Sequence, residues 1–432
     1  MRFLVLSQYY PPEVGATQVR LSSMCRELVR AGHQVDVVTG MPHHPVGKIF
    51  PSYRGRFYYR EFQGGVRVRR TWLSASAGSG WRRVLSYFSF MLTSLFSIVR
   101  VRKPDYIFVD SPPLFLGVTG WIASLYWKCP FIFNVADLWP DSVLDLGVMK
   151  EGMFVRGAFG LEAWIYKRAR FVNAVTRGIY DVLLTRKNVP AAKVLFLPNG
   201  VDTRIIRPLP ADEALKKRLG LAGKRIAIYA GNHGYAAGAE QILHAAKLLE
   251  SHGDLHFLFV GDGPDKSRLQ RLTAELQLQN TTFVDSVPLE RMSSYLSIAD
   301  MALITLRKAG VTRGARPAKT FVMMAAAKPI ILAAEGEAEE LITSSQAGVI
   351  VPPDAPQQFA SAILAMHENL ETARQIGLRG LAYVRDKFEW SKLVGDWLNQ
   401  LRVAASAESA SVARQQAIEE DRMPKVKVVS GR

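Results

Sequence analysis

The sequence predicts an α/β fold with two domains, each built on a parallel β-sheet with helices packed against it. Apolar, strand-like runs alternate with helical stretches along the chain, and this alternation starts afresh after residue 200. The strands of a parallel sheet are buried on both faces and therefore appear as continuous apolar runs. The 432 residues also exceed one ordinary domain of about 150 residues. Since open parallel sheets bind ligands beyond the carboxyl ends of their strands, we expect the two domains to face a central cleft.

The first domain is assigned to residues 1–197. It opens with the apolar run RFLVLS, a helical stretch at 17–31 and the run QVDVVTG, and it later includes the runs YIFVDS and FIFNVAD. Residues 195–210 then contain a Pro-Asn-Gly turn and several prolines, a composition that is typical of a connector. We therefore place the domain boundary between residues 197 and 198.

The second domain is assigned to residues 198–387, where the same pattern of strands and helices returns. A last helical stretch is predicted at 356–402, and the closing helix is assigned to 388–403. The small, polar and aperiodic residues 404–432 predict a disordered tail. The predicted strands are at 225–231, 256–263, 281–287, 301–306 and 328–334, and the predicted helices are near 238–251, 265–277, 289–298 and 317–327.

The charge and cysteine content narrow the class of protein. The formal net charge is +17, and most of the excess lies at 43–103, where twelve Lys or Arg side chains accompany one acid, Glu61. This basic segment is rich in aliphatic and aromatic residues and contains no recognised nucleic-acid module, so nucleic acid is not an expected partner.

Cys25 and Cys129 fit no metal-ligand spacing and no disulfide framework, and MRFLVLSQYY lacks the features of a signal peptide. We therefore expect a cytoplasmic protein.

One part of the basic segment, VLSYFSFMLTSLFSIV at 84–99, contains no charged residue and is bracketed by basic residues. As a helix, its 16 residues extend about 24 Å, which is short of the roughly 30 Å hydrocarbon core of a bilayer. The segment therefore does not predict a membrane-spanning helix. Two interpretations stay open. One is a helix that lies on the anionic inner surface of the plasma membrane, and the other is a buried helix with basic ends.

Small residues follow several predicted strands at positions where a phosphate could approach the backbone. Gly15 stands at the start of the first long helix, and YAGNHGYAAG places three glycines around Asn232 and His233. Glycines permit tight turns and bring backbone N–H groups close to an anion at a helix N-terminus. The first loop has no G-x-G-x-x-G fingerprint and the second lacks the P-loop lysine, which argues against dinucleotide and ATPase sites. The candidate anion-binding residues of these loops are Gly15, Gly231, Asn232, His233, Gly234, Gly238 and Gly261.

The stretch RGARPAKTFVMMAAAKP at 313–329 spaces three cations three residues apart, namely Arg313, Arg316 and Lys319. Pro317 suits the first turn of a helix, so the three cations surround a helix N-terminus. The positive end of the helix dipole favours acids over cations, so helix stability alone does not explain them. We expect them to bind an anion, and the alternative is a solvated surface cluster.

A candidate catalytic acid lies in the first half of the chain. Asp137 follows a predicted buried strand in the stretch FNVADLWPDSVLDLG. A carboxylate at the carboxyl end of a strand faces the expected cleft, where it can orient an acceptor hydroxyl or act as a base. The alternative is a carboxylate that caps the following helix.

Taken together, these stretches resemble the retaining nucleotide-sugar glycosyltransferases of family 4, which have two Rossmann-like domains in the GT-B arrangement. The resemblance extends to about residue 400 and rests on an ordered set of motifs. These are the Pro-Pro-Glu and Gly15 loop, DLWPDS, PNGVD, YAGNHGYAAG, FVGDGP, and the P-x-K of 317–319 that leads into AAAKPII. The sequence is most similar to the bacterial branch that assembles O-antigen and exopolysaccharide.

The resemblance implies that the first domain binds the acceptor and the second binds a UDP- or GDP-linked sugar. The implied reaction moves a hexosyl or N-acetylhexosaminyl unit to a polyprenyl-diphosphate-linked or glycan acceptor, without a metal or another cofactor. Lys319 would neutralise the leaving diphosphate and Asp137 would orient the acceptor. The residues implied near the diphosphate are Gly231, Asn232, Gly234 and Gly238.

The sequence departs from the family pattern in the glycine loop, where residues such as Asn232 and Ala237 replace the usual Arg and Lys, and again around the P-x-K turn. Many relatives have two acids eight residues apart around the P-x-K turn, and the second of these acids binds the donor ribose. Here the two positions hold Gly314 and Val322, and a valine side chain cannot accept a hydrogen bond. Two other functions therefore stay open beside glycosyl transfer. They are a nucleotide-sugar 2-epimerase of the same fold and a non-catalytic protein that binds sugar nucleotides.

Overall fold

The first domain contains an eight-stranded β-sheet with helices on both faces. The computed structural model describes residues 1–44, 47–76, 81–145, 147 and 152–422. In chain order the elements are β1 (Arg2–Leu6), α1 (Ala16–Arg30), β2 (Gln34–Gly40), β3 (Tyr58–Gln63), β4 (Val66–Thr71), α2 (Trp81–Ile98), β5 (Tyr106–Ser111), α3 (Leu116–Trp127), β6 (Phe131–Val135), α4 (Asp141–Asp145), α5 (Met153–Arg168), β7 (Phe171–Ala174), α6 (Arg177–Thr185) and β8 (Val194–Phe196). The strand order is β3-β4-β2-β1-β5-β6-β7-β8, in which β3 and β4 are antiparallel and the other neighbours are parallel.

The second domain contains a six-stranded, wholly parallel sheet in the order β11-β10-β9-β12-β13-β14. Its elements are α7 (Glu213–Arg218), β9 (Arg225–Ala230), α8 (Glu240–Leu248), β10 (Leu255–Val260), α9 (Lys266–Glu275), β11 (Thr281–Val284), α10 (Leu289–Ser297), β12 (Met301–Thr305), α11 (Gly310–Arg313), α12 (Ala318–Ala325), β13 (Ile330–Ala333), α13 (Glu337–Ser345), β14 (Gly348–Val351), α14 (Pro356–Glu368), α15 (Leu370–Lys387) and α16 (Trp390–Arg422). The two-sheet α/β architecture predicted from the sequence is confirmed. In both sheets the strand order reverses beside the first strand, and this reversal creates a crevice for ligands.

The hairpin of β3 and β4 lies inside the basic segment, where the sequence analysis identified no strand. Its basic residues are interleaved with apolar ones and hide the usual apolar signal of a strand. Arg67 donates to the Asp36 carboxylate at 2.8 Å, and Arg69 contacts the same carboxylate. Arg70 is fully buried and pairs with Glu61. Part of the positive charge of this segment is therefore neutralised within the first domain.

The helix α2 contains the uncharged stretch predicted at 84–99. It packs beside α3 and against β2 and β4, and its inner side contributes Phe90 and Ile98 to the core. No helix in the described part of the chain is long and apolar enough to cross a membrane. This finding agrees with the prediction that the segment does not span a bilayer.

The end of the chain differs from the prediction. The helix α16 runs from Trp390 to Arg422, so residues 404–422 are helical and the prediction of a disordered tail is wrong for them. Residues 423–432 lie outside the described residues. Composition explains the error, because the segment is small and polar but rich in Ala, Glu, Gln and Arg, which all favour helix.

The start of α16 packs on the core of the first domain. Trp397 is fully buried, and its ring lies 6.0 Å from Phe3 and 5.8 Å from Phe108. Its indole N–H donates to the Asn173 side chain at 3.0 Å. A buried chain of hydrogen bonds continues from Asn173 through Asn134 to the Asp110 carboxylate. The closing helix therefore ties the second domain back to the core of the first.

Candidate functional site

Two glycine turns meet at the carboxyl ends of β9 and β10. Gly231 and Gly261 have φ angles of 129° and 147°, which side chains rarely adopt. A Cβ at Gly261 would lie 2.0 Å from the Gly231 carbonyl oxygen, and a Cβ at Gly263 would lie 2.4 Å from the His233 carbonyl oxygen. The two backbones can approach this closely only because these positions are glycine. The turns lie beside the reversal of strand order between β9 and β12, where a ligand crevice is expected.

His233 is buried, although its position in a glycine-rich loop suggested an exposed side chain. It is fully buried, and its ring stacks on Tyr229 with ring centroids 5.4 Å apart. The edges of Phe259 and Phe283 complete an aromatic enclosure. Burial and the nearby Lys319 ammonium lower the pKa of His233 to about 4. His233 is therefore neutral at pH 7 and cannot serve as a cation for a phosphate, although a neutral imidazole still has one N–H to donate.

Lys319 lies in the first turn of α12 and reaches the Gly231 turn. A Cβ built on Gly231 would be 3.6 Å from its Nζ atom, which also lies 3.8 Å from the centroid of the Tyr229 ring. The Nζ atom is buried and has no hydrogen-bond partner among the residues that the structure describes. Burial lowers the pKa of Lys319 to about 7. A buried ammonium without an acceptor favours a bound anion beside it.

The other two cations of the 313–319 cluster already have protein partners. Arg313 is exposed and pairs with Glu335 at 3.0 Å. Arg316 is mostly buried and lies 2.9 Å from the Glu337 carboxylate. The expectation of three cations free for an anion is therefore corrected, because two carboxylates that follow β13 neutralise both arginines. Lys319 remains the cation of this cluster without a counter-charge in the described structure.

Val322 lies one turn after Lys319 on α12. Residues three apart on a helix share a face, and these two side chains are partly exposed while Thr320, Phe321 and Met323 are buried. The face of α12 that carries Lys319 therefore presents an apolar side chain at the position where the family resemblance implies an acid. Asn232, in the facing turn, is exposed and retains a polar amide for a ligand.

The first domain contributes the opposite wall of the cleft. Gly15 precedes the first residue of α1 and has an extended backbone with φ 169°. A cavity of about 350 Å³ lies between the loop at 10–14, the start of α1 and residues 288–290 of the second domain. Gly15 is thus next to the domain interface, on a different loop from the Gly231 and Lys319 group.

Asp137 follows β6, as the sequence indicated, and its carboxylate is partly buried. The Ser142 hydroxyl donates to its Oδ2 atom at 3.0 Å. Burial raises the pKa of Asp137, although hydrogen bonds from Ser142 and the Leu138 N–H oppose this effect. The short helix α4 that follows lies against α11 of the second domain, so Asp137 is close to the surface where the domains meet.

A contact across the cleft was not predicted from the sequence. The Gly178 N–H, in the first turn of α6, donates to the Glu337 carboxylate of the second domain. A Cβ at Gly178 would lie 2.8 Å from the Gly314 Cα atom. Gly314, which replaces one acid of the family pattern, therefore permits the first domain to touch this loop. Three residues of this region were not predicted from the sequence, because their role depends on contacts between distant segments. They are Gly178, Tyr229 and Glu337.

The described residues contain no group of three or more His, Cys, Asp or Glu side chains that could hold a metal ion. Two buried side chains at the reversal of strand order, Lys319 and His233, have nitrogen atoms without a hydrogen-bond partner among the described residues. Nitrogen donors of this kind are suited to the oxygen atoms of a phosphate.

Comparison with known proteins assigns the two halves to two related families. Residues 15–200 match the family described as glycosyl transferase 4-like domain, and residues 211–381 match glycosyl transferases group 1. WcaI of Escherichia coli (strain K12), a glycosyl transferase assigned to colanic acid biosynthesis, is 28% identical over 348 residues. This alignment covers 78% of the present chain and 84% of WcaI.

Solved structures share the architecture at low sequence identity. Anabaena Alr3699/HepE in complex with UDP-glucose superposes with a TM-score of 0.70 at 16% identity, over 93% of this chain and 100% of HepE. WaaG, a glycosyltransferase involved in lipopolysaccharide biosynthesis, superposes with a TM-score of 0.62 at 14% identity, over 92% of this chain and 98% of WaaG. These likenesses establish the GT-B fold. The family matches of the two halves show that the chain belongs to the glycosyltransferases that join a 4-like domain to a group 1 domain.

Proposed function

We propose that this glycosyltransferase moves a hexosyl or N-acetylhexosaminyl unit from a UDP- or GDP-linked donor, with retention, to a lipid-linked acceptor at a membrane. The second domain holds the donor and the first holds the acceptor. The observation that carries the proposal is the unpaired ammonium of Lys319 beside the Gly231 turn. A leaving diphosphate supplies the counter-charge that this buried cation lacks. The assignments of WcaI to colanic acid and of WaaG to lipopolysaccharide support a role in polysaccharide assembly.

The proposed step exchanges one bond at the anomeric carbon of the sugar. The bond to the diphosphate oxygen breaks, and the acceptor hydroxyl oxygen forms a new bond to the same carbon from the same face. The hydroxyl proton passes to the departing diphosphate, so no further reactant is needed. Lys319 stabilises the negative charge that develops on the diphosphate, in place of a metal ion. Asp137 orients the acceptor hydroxyl from the opposite side of the cleft.

The membrane part of the proposal rests on the outer side of α2. The buried side of this helix contains three serines beside Phe90 and Ile98, namely Ser86, Ser94 and Ser97. Its outer side exposes a regular row of large apolar residues, which we name the α2 stripe, comprising Trp81, Leu85, Phe88, Leu92 and Phe96. A continuous apolar row on a surface is typical of a contact site.

Charge favours a membrane as the partner of the α2 stripe. Exposed cations stand at both ends of α2, with Arg82 at its start and Arg100 and Arg102 just after its end. An amphipathic helix with apolar residues outward and basic residues at its margins is suited to the interface of an anionic bilayer. Such a position brings the first domain to the surface where a lipid-linked acceptor resides. In this proposal the protein works at the inner face of the plasma membrane.

Transfer from a panel of UDP- and GDP-linked sugars to a membrane lipid extract tests the proposed reaction. Mass spectrometry identifies the product, and NMR of its anomeric proton tests retention. Lys319→Ala should slow transfer on the order of 100-fold, because one preorganised charge at the leaving group is lost. Lys308→Ala is the matched control, since Lys308 is exposed in the same region. An unchanged transfer rate for Lys319→Ala would contradict the proposal that Lys319 stabilises the leaving diphosphate.

The same assay separates the alternative functions. An epimerised sugar nucleotide in the absence of lipid would support the epimerase, and donor binding without turnover would support a non-catalytic protein. Transfer that continues in EDTA would support the proposal that protein cations replace a metal. Loss of transfer that is restored by a divalent metal would contradict it.

Flotation with anionic vesicles tests the α2 stripe. Leu85→Asp/Leu92→Asp should lower the partition coefficient by at least about tenfold, because two exposed leucines lose their apolar environment. Leu248→Asp/Leu370→Asp changes two similarly exposed leucines of the second domain and should leave flotation unaltered. Equal flotation of the two variants would contradict membrane binding through α2.

A further inference from the structure

A second feature of the first domain is a pocket lined by cations at the amino-terminal edge of its sheet. The pocket has a volume of about 510 Å³, and Ser124 and the start of β6 contribute to its walls. We name it the basic pocket after its four charged residues, which are Lys167, Arg168, Arg170 and Lys193. No acid lines it. The donor crevice lies beyond the carboxyl ends of the strands, so the basic pocket is at the opposite end of the domain.

Several contacts hold Arg168 and Lys193 in place without neutralising them. The Arg168 guanidinium lies over the rings of Trp121 and Trp164, at 5.7 and 5.8 Å from their centroids. The Lys193 ammonium donates to the Lys167 carbonyl oxygen at 3.1 Å. Within the described ranges, no carboxylate forms an ion pair with Lys167, Arg168 or Lys193. Burial, together with the neighbouring Arg170, lowers the pKa of Lys193.

Helix stability explains only part of this cluster. Lys167 and Arg168 occupy the last turn of α5, where cations interact favourably with the helix dipole. Arg170 and Lys193 come from other segments, so the dipole does not account for their presence. The like charges of Lys167, Arg168 and Lys193 around one cavity repel one another, and a bound anion lowers this cost. The geometry therefore favours an anion in the basic pocket.

The surroundings of the pocket point to a lipid as the source of that anion. Ser124 lines the pocket, and the next residues of α3, Leu125 and Tyr126, have 59% and 57% of their surface exposed. The helix α3 packs directly beside α2, which carries the α2 stripe. Cations therefore adjoin exposed apolar residues, just as a phosphate adjoins acyl chains in a phospholipid.

We infer that the basic pocket binds the phosphate of an anionic lipid headgroup and gives the first domain a second attachment point on the membrane. The inference rests on the membrane association proposed for α2 and adds a defined headgroup site to it. The same cations could instead bind a free, soluble phosphate. The tests below therefore compare the two sources of phosphate directly.

Vesicle flotation with phosphatidylglycerol in phosphatidylcholine measures the contribution of the pocket. Lys167→Gln/Arg168→Gln should lower the partition coefficient by roughly tenfold or more, since each cation at an anionic surface contributes measurably. The matched control is Lys217→Gln/Arg218→Gln, which removes the same residue pair from the last turn of α7 in the second domain. A charge further from the membrane than a Debye length is screened, so the control should change partition by less than about twofold.

A second, milder variant tests the pocket in case the double substitution disturbs folding. Lys193→Gln leaves Arg168 stacked on its tryptophans, and circular dichroism and urea unfolding check that each variant remains folded. Lys193→Gln should also lower partition into anionic vesicles and leave the weaker partition into pure phosphatidylcholine unchanged. Equal effects of the pocket variants and the α7 control would overturn the inference, as would an equal loss with neutral vesicles.

Soluble glycerol 3-phosphate distinguishes the two sources of phosphate. Calorimetry should detect weak binding at most, and flotation should persist in millimolar glycerol 3-phosphate. Tight binding of glycerol 3-phosphate that the pocket variants abolish, with vesicle partition unchanged, would overturn a lipid site in favour of a soluble ligand. Transfer assayed in detergent micelles tests the proposed function separately. If transfer is absent there while the pocket variants still lose flotation, the proposed reaction fails and the lipid site stands.

Discussion

Replacement of Lys319 by methionine should make the protein more stable and less active at the same time. Methionine is similarly long and unbranched, so it retains the packing against Gly231 and Tyr229 while it removes the ammonium. Burial lowers the pKa of Lys319 from 10.5 to about 7. At 1.36 kcal/mol per pH unit, this fall corresponds to about 5 kcal/mol of folding free energy at neutral pH. The free energy of unfolding of the variant should therefore be higher by up to about that amount, reduced by the cation–π attraction to Tyr229 that the substitution removes.

The stability gain should shrink as the pH rises. Between pH 7 and pH 10 the unfolded chain keeps its proton on Lys319 while the folded protein has released it. The free energy of unfolding of the wild type therefore rises with pH. From pH 7 to pH 9 this rise is about 2 kcal/mol, and the methionine variant lacks it.

Urea unfolding at pH 7 and pH 9 measures the free energies, and initial rates of sugar transfer measure activity. We expect the variant to be more stable at pH 7, to differ less from the wild type at pH 9, and to transfer sugar at least about 100-fold more slowly. Lys308→Met is the control, since Lys308 is exposed. A methionine variant that is less stable than the wild type at pH 7, or that transfers sugar at an unchanged rate, refutes the reasoning.

Three further substitutions probe the cleft and the closing helix. Gly178→Ala should lower the turnover rate, because the new Cβ would lie 2.8 Å from the Gly314 Cα atom across the interface. Gly160→Ala is the control and should leave turnover unchanged, because its Cβ would have no other atom within 4 Å. Val322→Glu should tighten UDP or GDP binding about tenfold through hydrogen bonds to the ribose, and calorimetry that shows no tightening would contradict that placement. Trp397→Phe removes a buried hydrogen bond and should lower the free energy of unfolding in urea by about 1–3 kcal/mol. A smaller decrease would contradict a stabilising role for this hydrogen bond.

The sequence alone predicted the two-sheet framework, although not every strand of it, and it singled out Lys319 as a candidate. Buried parallel strands are continuous apolar runs, so β9, β10 and β12 could be recognised without any tertiary information. Lys319 could be recognised because a cation at a helix N-terminus contradicts the helix dipole and therefore needs another explanation. Both inferences depend on local chemistry that neighbouring residues already determine.

Other features depend on partners that are distant along the chain. Glu337 is 21 residues from Arg316, and no local pattern indicates that it neutralises this arginine and also accepts from Gly178 of the first domain. The burial of His233 depends on Phe259 and Phe283, which come from two other strands. The hairpin of β3 and β4 was missed for the same reason, since the partners of its arginines, such as Asp36, lie on another strand.

The pairing of charges around the cleft indicates which group the fold leaves available for the donor. The segment after β13 supplies Glu335 and Glu337, and these acids neutralise Arg313 and Arg316. Lys319, in contrast, has no hydrogen-bond acceptor for its Nζ atom in the described structure, where this atom lies 3.8 Å from the centroid of the Tyr229 ring. The ring nitrogens of His233, which stacks on Tyr229, also have no hydrogen-bond partner in the described structure. Unsatisfied buried nitrogen atoms are costly, and their concentration at the reversal of strand order is explained if the donor diphosphate supplies the missing acceptors.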